Sequence, residues 1–249
     1  MSGHSKWAQI KRQKGVADAR RGQLFTKLAR EIIVAVREGG SNPEANFRLR
    51  LAIQKGRDHN MPLDNIDRAI KRGSGHAEGT SLVEMTLEGY GPNGAAILVK
   101  ALSDNRNRTL QDVRNIFTRH GGNLGESGCV AWLFNSRGLI TVETNSQDAE
   151  ELALEAIDAG ADDVKIEKGY IDIYTKPTEL EKVREALEAK NITIASAELS
   201  MIPKSTVEME EKAALQTLKL LDRLEELDEV QHVSSNVDFS DAILEKYQA

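Results

Sequence analysis

The chain has 249 residues, 40% hydrophobic and 29% charged, with a formal net charge of −6. That length predicts two or three domains with separate cores, and the composition predicts a globular protein rather than a disordered one. One cysteine, Cys129, excludes an internal disulfide framework; the five histidines (His4, His59, His76, His120, His232) follow no metal-binding spacing; and no run of about eighteen apolar residues is present to cross a bilayer. The expectation is a cytoplasmic protein with no cofactor, no metal and no membrane partner. The first thirty residues share the arginine-rich, acid-poor character of a mitochondrial presequence, but they run directly into a patterned helix and lack the apolar core of a signal peptide.

The charge is unevenly divided. Residues 1–76 hold 16 lysines and arginines against seven acids, a net of +9, so the remaining residues carry −15. A basic domain inside an acidic protein points to a polyanionic partner, because neutralising phosphates releases their condensed counterions. The alternative is a solvated basic face, which more often interleaves both signs.

In chain order, residues 1–18 show no apolar stripe and read as a basic arm. From Ala19 to Glu38, Leu24, Leu28, Ile32 and Val36 recur at helical spacing, with Gly39 and Gly40 as the stop. Asn42-Pro-Glu44 reads as the cap of a second helix through Phe47 and Leu51, and Asn60-Met-Pro62 opens a third through Leu63, Ile66 and Ile70 that Gly73 ends. A helical domain over 19–76 follows, displaying Arg48, Arg50, Lys55, Arg57, Arg68, Lys71 and Arg72 to solvent. Leu82 to Leu87 and Ala95 to Leu102 alternate as strands, Thr109-x-x-Asp112 reads as a capping box before a helix closed by Gly121-Gly122, and Val130 to Phe134 reads as a strand. Residues 138–200 give the order βαββαβ, with Thr178-x-x-Glu181 capping the second helix; this is the ferredoxin-like arrangement. A helix rich in outward carboxylates and a strand from Val230 to Val237 end the organised chain. Residues 80–136 lack a second helix and a last strand, which 208–238 supply. The expectation is therefore α+β: an N-terminal helical bundle and two ferredoxin-like domains, with 138–200 inserted into a discontinuous domain of 80–136 plus 208–238.

No nucleophile, base and oxyanion site assembles along the sequence, so no enzyme is predicted. Gly89-Tyr-Gly-Pro-Asn-Gly94 has the spacing of a dinucleotide fingerprint but is followed by a strand, and Pro92 removes a donor, so it reads as a turn. Cys129 reads as a buried strand thiol. Asp104-Asn-Arg-Asn-Arg-Thr109 is a basic loop at a helix start, where Arg106 and Arg108 either bind phosphate or pair with nearby acids. Trp7, between Lys6 and Lys11, either stacks on a base or folds back on the bundle. The nucleic-acid contacts expected are Lys6, Trp7, Lys11, Arg12, Lys14, Arg20, Arg21, Arg106 and Arg108.

Several of these segments carry a resemblance. Met1-Ser-Gly-His-Ser-Lys-Trp7, Phe25-Thr-Lys-Leu28, Asn60-Met-Pro62 with Ile66-x-Arg-Ala-Ile70, Glu88-Gly-Tyr-Gly-Pro92, Asp104-Asn-Arg-Asn-Arg-Thr109 and Gly121-Gly-Asn-Leu-Gly125 together resemble the YebC family, which also includes mitochondrial translational activators. Asn93 and Cys129 depart from a common glycine and a common serine. The resemblance implies a helical first domain followed by two α/β domains, cytoplasmic in bacteria, without enzymatic activity. It also implies either a DNA-binding transcription regulator or a ribosome-associated factor that binds ribosomal RNA and helps translation past proline-rich stretches. A flexible basic arm suits irregular RNA at least as well as duplex DNA, and no helix-turn-helix recognition helix is evident. A third reading, from the tandem ferredoxin-like domains, is a small-molecule-sensing or protein-docking module.

Overall fold

The computed structural model describes residues 18–75, 82–144, 148–167 and 169–248. It divides into two compact units, one built from Met1–Phe134 and Pro203–Ala249, the other from Asn135–Ile202. The architecture is α+β, with N-terminal helices followed by two four-stranded antiparallel sheets.

The described residues begin with three helices, α1 (Asp18–Gly39), α2 (Phe47–Asp58) and α3 (Leu63–Ser74). Leu28, Ile32 and Val36 of α1, Leu49 and Ile53 of α2, and Ile66 and Ala69 of α3 close one buried core with Met61. Gly73 lies inside α3 rather than ending it. A Cβ there would meet Val36 Cβ at 2.7 Å and the Ile33 carbonyl at 2.9 Å, so only glycine lets α3 approach α1 this closely. The cap of α2 is Asn46, not Asn42. The buried Asn46 amide donates to the carbonyls of Ala35 and Gly40, while its Oδ1 accepts the Leu49 N–H at 3.0 Å. Asn42 instead closes a turn by accepting the Glu44 N–H.

The first sheet has the order β3-β1-β2-β8, from β1 (Val83–Tyr90), β2 (Ala96–Ser103), β3 (Asn123–Leu124) and β8 (Val230–Ser235). Its neighbours are all antiparallel. Two helices pack on it, α4 (Arg106–Arg119) and α7 (Glu211–Glu225), and Val113, Phe117, Leu218, Leu221 and Leu224 meet Met85, Leu87, Ile97 and Val99 in one core. The chain order is a β1–β2 hairpin, α4 and β3, then α7 and β8 after the second unit. Gly89 leaves room for Phe117, whose Cε1 would lie 2.7 Å from a Cβ at that position. The terminal helix α8 (Asp241–Gln248) packs on α7, burying Leu244; the sequence pattern stopped short of it.

The second unit carries the order β5-β6-β4-β7, from β4 (Phe134–Glu143), β5 (Asp163–Glu167), β6 (Tyr170–Thr175) and β7 (Ile194–Pro203). With α5 (Ala149–Asp158) and α6 (Leu180–Ala189) it is the expected βαββαβ fold. Ile140, Val142, Ile171 and Ile173 are buried, as are Leu152, Ala156, Val183 and Leu187.

Three local expectations are corrected. Val130 to Phe134 is not a strand: Ala131–Leu133 forms a 3-10 turn, and β4 begins at Phe134. Thr109 does not cap α4, because its hydroxyl is buried against Ser103 Oγ at 2.7 Å and Asn105 is the cap. Thr178 likewise leaves α6 without a side-chain cap; Glu179 stands there instead.

Candidate nucleic-acid interface

Lys6, Trp7, Lys11, Arg12 and Lys14 lie outside the described residues. Arg20 lies in the first turn of α1, and Arg21 beside it is exposed. The helical domain shows where its other cations are used. Arg48 is taken up internally, with Glu31 Oε1 3.0 Å from Nε, and Glu38 Oε2 at 2.6 Å and Glu84 Oε2 at 3.1 Å from Nη1. Burial alone would lower its pKa, but the attraction of Glu31 and Glu84 prevails and raises it. Arg48 therefore ties the helices to β1. Arg50 caps the carbonyls of Pro43 and Glu44.

Other arginines converge. Thr26, Arg30, Ile33 and Arg37 follow one another at three- and four-residue spacing on α1, and Asn65, Arg68, Ala69 and Arg72 stand at i, i+3, i+4 and i+7 on α3, so each helix presents one stripe. The two stripes face a single groove of about 620 Å³, whose apolar lining is Phe25, Ala29, Ile33, Met61, Ala69 and Leu82 and whose one carboxylate is Asp104. Four guanidinium groups line it against one carboxylate. Arg68 is pinned, its Nη2 donating to Asn65 Oδ1 at 2.6 Å and its Nε to the Asp64 carbonyl at 3.1 Å. Arg37 and Arg72 are exposed at the rim, with no ion pair among the described residues. Arg30 reaches Glu229 at 3.8 Å, while its buried Nη1 has no hydrogen-bond partner among the described residues.

The loop before α4 joins this groove. Asn105 Oδ1 accepts the Arg108 N–H at 3.1 Å, which puts Arg106 and Arg108 in the first helical turn rather than in a loop. Their fates differ. Arg108 spans Asp104 at 2.7 Å and Glu229 at 3.1 Å, so Glu229 is shared between Arg108 and Arg30. Arg106 is exposed and has no partner among the described residues. The pairing with nearby acids expected as one alternative is thus seen at Arg108 and not at Arg106. The sequence pattern gives Arg68 and Arg72 only as solvent-facing residues of the helical domain. The helical-period alignment of arginines on two adjacent helices is the available signal.

A second feature lies along β1. The buried Glu88 carboxylate accepts the N–H groups of Gly128, Val130 and Ala131 at 2.7–2.8 Å. Burial would raise its pKa, but these three donors outweigh that effect and hold it below the ordinary carboxylate value. The loop so fixed directs the Cys129 carbonyl to Tyr90 Oη at 2.9 Å and Trp132 Nε1 at 3.1 Å, leaving Trp132 64% exposed. Cys129 is a half-buried loop thiol rather than a strand residue, because the chain turns here to meet Glu88. Burial, and then the Glu88 charge, push its pKa up, which disfavours the nucleophilic thiolate. Among the described residues no group of three or more His, Cys, Asp or Glu is arranged to hold a metal, and no helix is long and apolar enough to cross a membrane.

Comparison with known proteins agrees across the chain. A model of the TACO1/YebC N-terminal domain matches residues 5–76, and a model of the TACO1/YebC second and third domain matches residues 82–237. A probable transcriptional regulatory protein of Dehalococcoides mccartyi is 60% identical over 249 residues, covering 100% of this chain and 99% of the relative. One from Moorella thermoacetica is 53% identical over 249 residues, covering 99% of each. The crystal structure of a conserved hypothetical protein from Aquifex aeolicus superposes with a TM-score of 0.84 at 50% identity, covering 90% of this chain and 93% of that one. With both domain models and full-length relatives in agreement, this chain belongs to the TACO1/YebC family.

Proposed function

We propose that this protein is a non-enzymatic, nucleic-acid-binding regulator of gene expression that works in the cytoplasm. The observation that carries the reading is the segregation of charge, +9 in residues 1–76 against −15 in the rest. Phosphate binding by that domain needs no particular sequence and falls steeply with salt. Lys6, Trp7, Lys11, Arg12, Lys14, Arg20 and Arg21 form the leading edge of the contact, with Arg106 as a second anchor. Arg108 is reassigned to holding Asp104 and Glu229.

Two nucleic-acid partners have separate support. The relatives' names, probable transcriptional regulatory proteins, favour DNA. The concave, apolar-floored groove favours an RNA with unstacked bases, such as ribosomal RNA, and so a role in translation. Crosslinking in cells followed by sequencing of the attached nucleic acid separates them. Enrichment of promoter DNA supports the first, enrichment of ribosomal RNA the second, and recovery of neither at levels above an uncrosslinked control overturns the proposal.

A further inference from the structure

We propose that the groove between α1 and α3 is a nucleotide pocket, taking one unstacked base of a single strand on its apolar floor and the adjoining phosphates on its arginine rim. This rests on the nucleic-acid reading above and adds to it the form of the ligand. The floor is the first reason. A surface built only for phosphates needs cations and no cavity, whereas here Phe25, Ile33, Met61 and Leu82 line a groove of about 620 Å³, within the range of small-ligand pockets. A flat heteroaromatic base is the part of a nucleic acid that gains from leaving water for such a floor, and Phe25 supplies a ring for it to stack on.

The rim is the second reason. Arg37 and Arg72 stand free at the mouth among the described residues, and Arg68 is pre-oriented by Asn65 and Asp64, so its planar fork is presented without further ordering. Arg30 lines the same groove and adds a fourth guanidinium, held there by Glu229 at 3.8 Å. Polar groups for a base edge are also in place. The Asn65 oxygen is engaged by Arg68, leaving its amide hydrogens, and the Thr26 hydroxyl donates to the Gly22 carbonyl, leaving its oxygen as an acceptor. Duplex DNA keeps its bases stacked and offers this pocket only phosphates. An acidic peptide matches the charge but brings no flat ring to the floor.

The test uses the full-length protein with four probes: a short single-stranded RNA of mixed sequence, the same sequence as a duplex, free AMP, and a glutamate-rich peptide. Ala29→Leu and Thr26→Phe fill the groove without changing charge, and unchanged melting temperatures show that they fold. Each is expected to weaken single-strand binding about tenfold, the loss of roughly one stacked base, while duplex binding changes less than about twofold. A strand bearing 5-iodouridine is expected to crosslink to Phe25 or Met61. If both variants bind the single strand as the wild type does, or the crosslinks fall only outside the groove, the pocket is wrong and the nucleic-acid reading stands. If the wild type binds neither RNA nor duplex, both fall. AMP binding as tight as the strand's reassigns the pocket to a free nucleotide, and loss of the peptide in place of the RNA reassigns it to a protein partner; either overturns the proposal.

Discussion

At the scale of single residues, Glu88 shows how a buried charge is used for order. Its three backbone hydrogen bonds fix the Gly128 to Trp132 turn, and Glu88→Gln removes the charge and, with one acceptor oxygen in place of two, leaves at least one of the three N–H groups facing an amide NH2. The expected cost is about 1.5–3 kcal/mol in urea unfolding. Because the folded pKa lies below the ordinary 4.5, the stabilisation is fully present above that value and is lost as pH falls through the lower folded value. Wild-type stability should therefore drop across that acid window, and the Gln variant should drop less. The two arginines in the first turn of α4 give a second prediction. Arg106→Ala should weaken nucleic-acid binding with little change in melting temperature, while Arg108→Ala should act mainly on stability, by about 1 kcal/mol, because it frees Asp104 and Glu229. Equal losses of binding for the two would show that the ion pairs do not decide their roles.

At the scale of elements, the helices and strands were legible because their apolar residues keep period 3.6 or 2 over whole segments. The ends were less so. Asn42 and Asn46 both satisfy a local cap pattern, and the choice falls to Asn46 because its amide also satisfies the buried Ala35 carbonyl and the Gly40 carbonyl at the end of α1. Thr109 fits a capping box but is drawn into the interior by Ser103. Val130 to Phe134 has the composition of a strand, yet the loop bends to meet Glu88, forty-odd positions back in sequence. Gly73 has the pattern of a helix stop, while its role in the fold is close contact with α1. Gly73→Ala should force α3 away from α1 and cost about 1–3 kcal/mol, as overpacking does. It should also disturb the groove, so single-strand affinity should fall with it; a stable variant with unchanged affinity would show that the helix spacing is not what shapes the groove.

For the whole molecule, charge segregation was the most legible functional feature, because it needs only counting. The groove was not legible, since it exists only once α1, α3, Leu82 and Asp104 meet, and no local pattern carries that meeting. The ion-pair chain through Arg30, Glu229, Arg108 and Asp104 is similarly long-range, joining a residue of α1 to the turn before β8. These links put Arg30 of the helical domain beside the first turn of α4, which carries Arg106, although the chain as a whole is acidic. The most direct measurement of nucleic-acid binding by this basic surface is a salt titration of full-length protein on a short single-stranded RNA, comparing wild type with Arg37→Ala/Arg72→Ala. The expected result is a linear log–log dependence with a slope of about −0.7 per phosphate neutralised, shallower by roughly 1.4 in the double variant. Binding that is absent at low salt, or that does not change with salt, would contradict it.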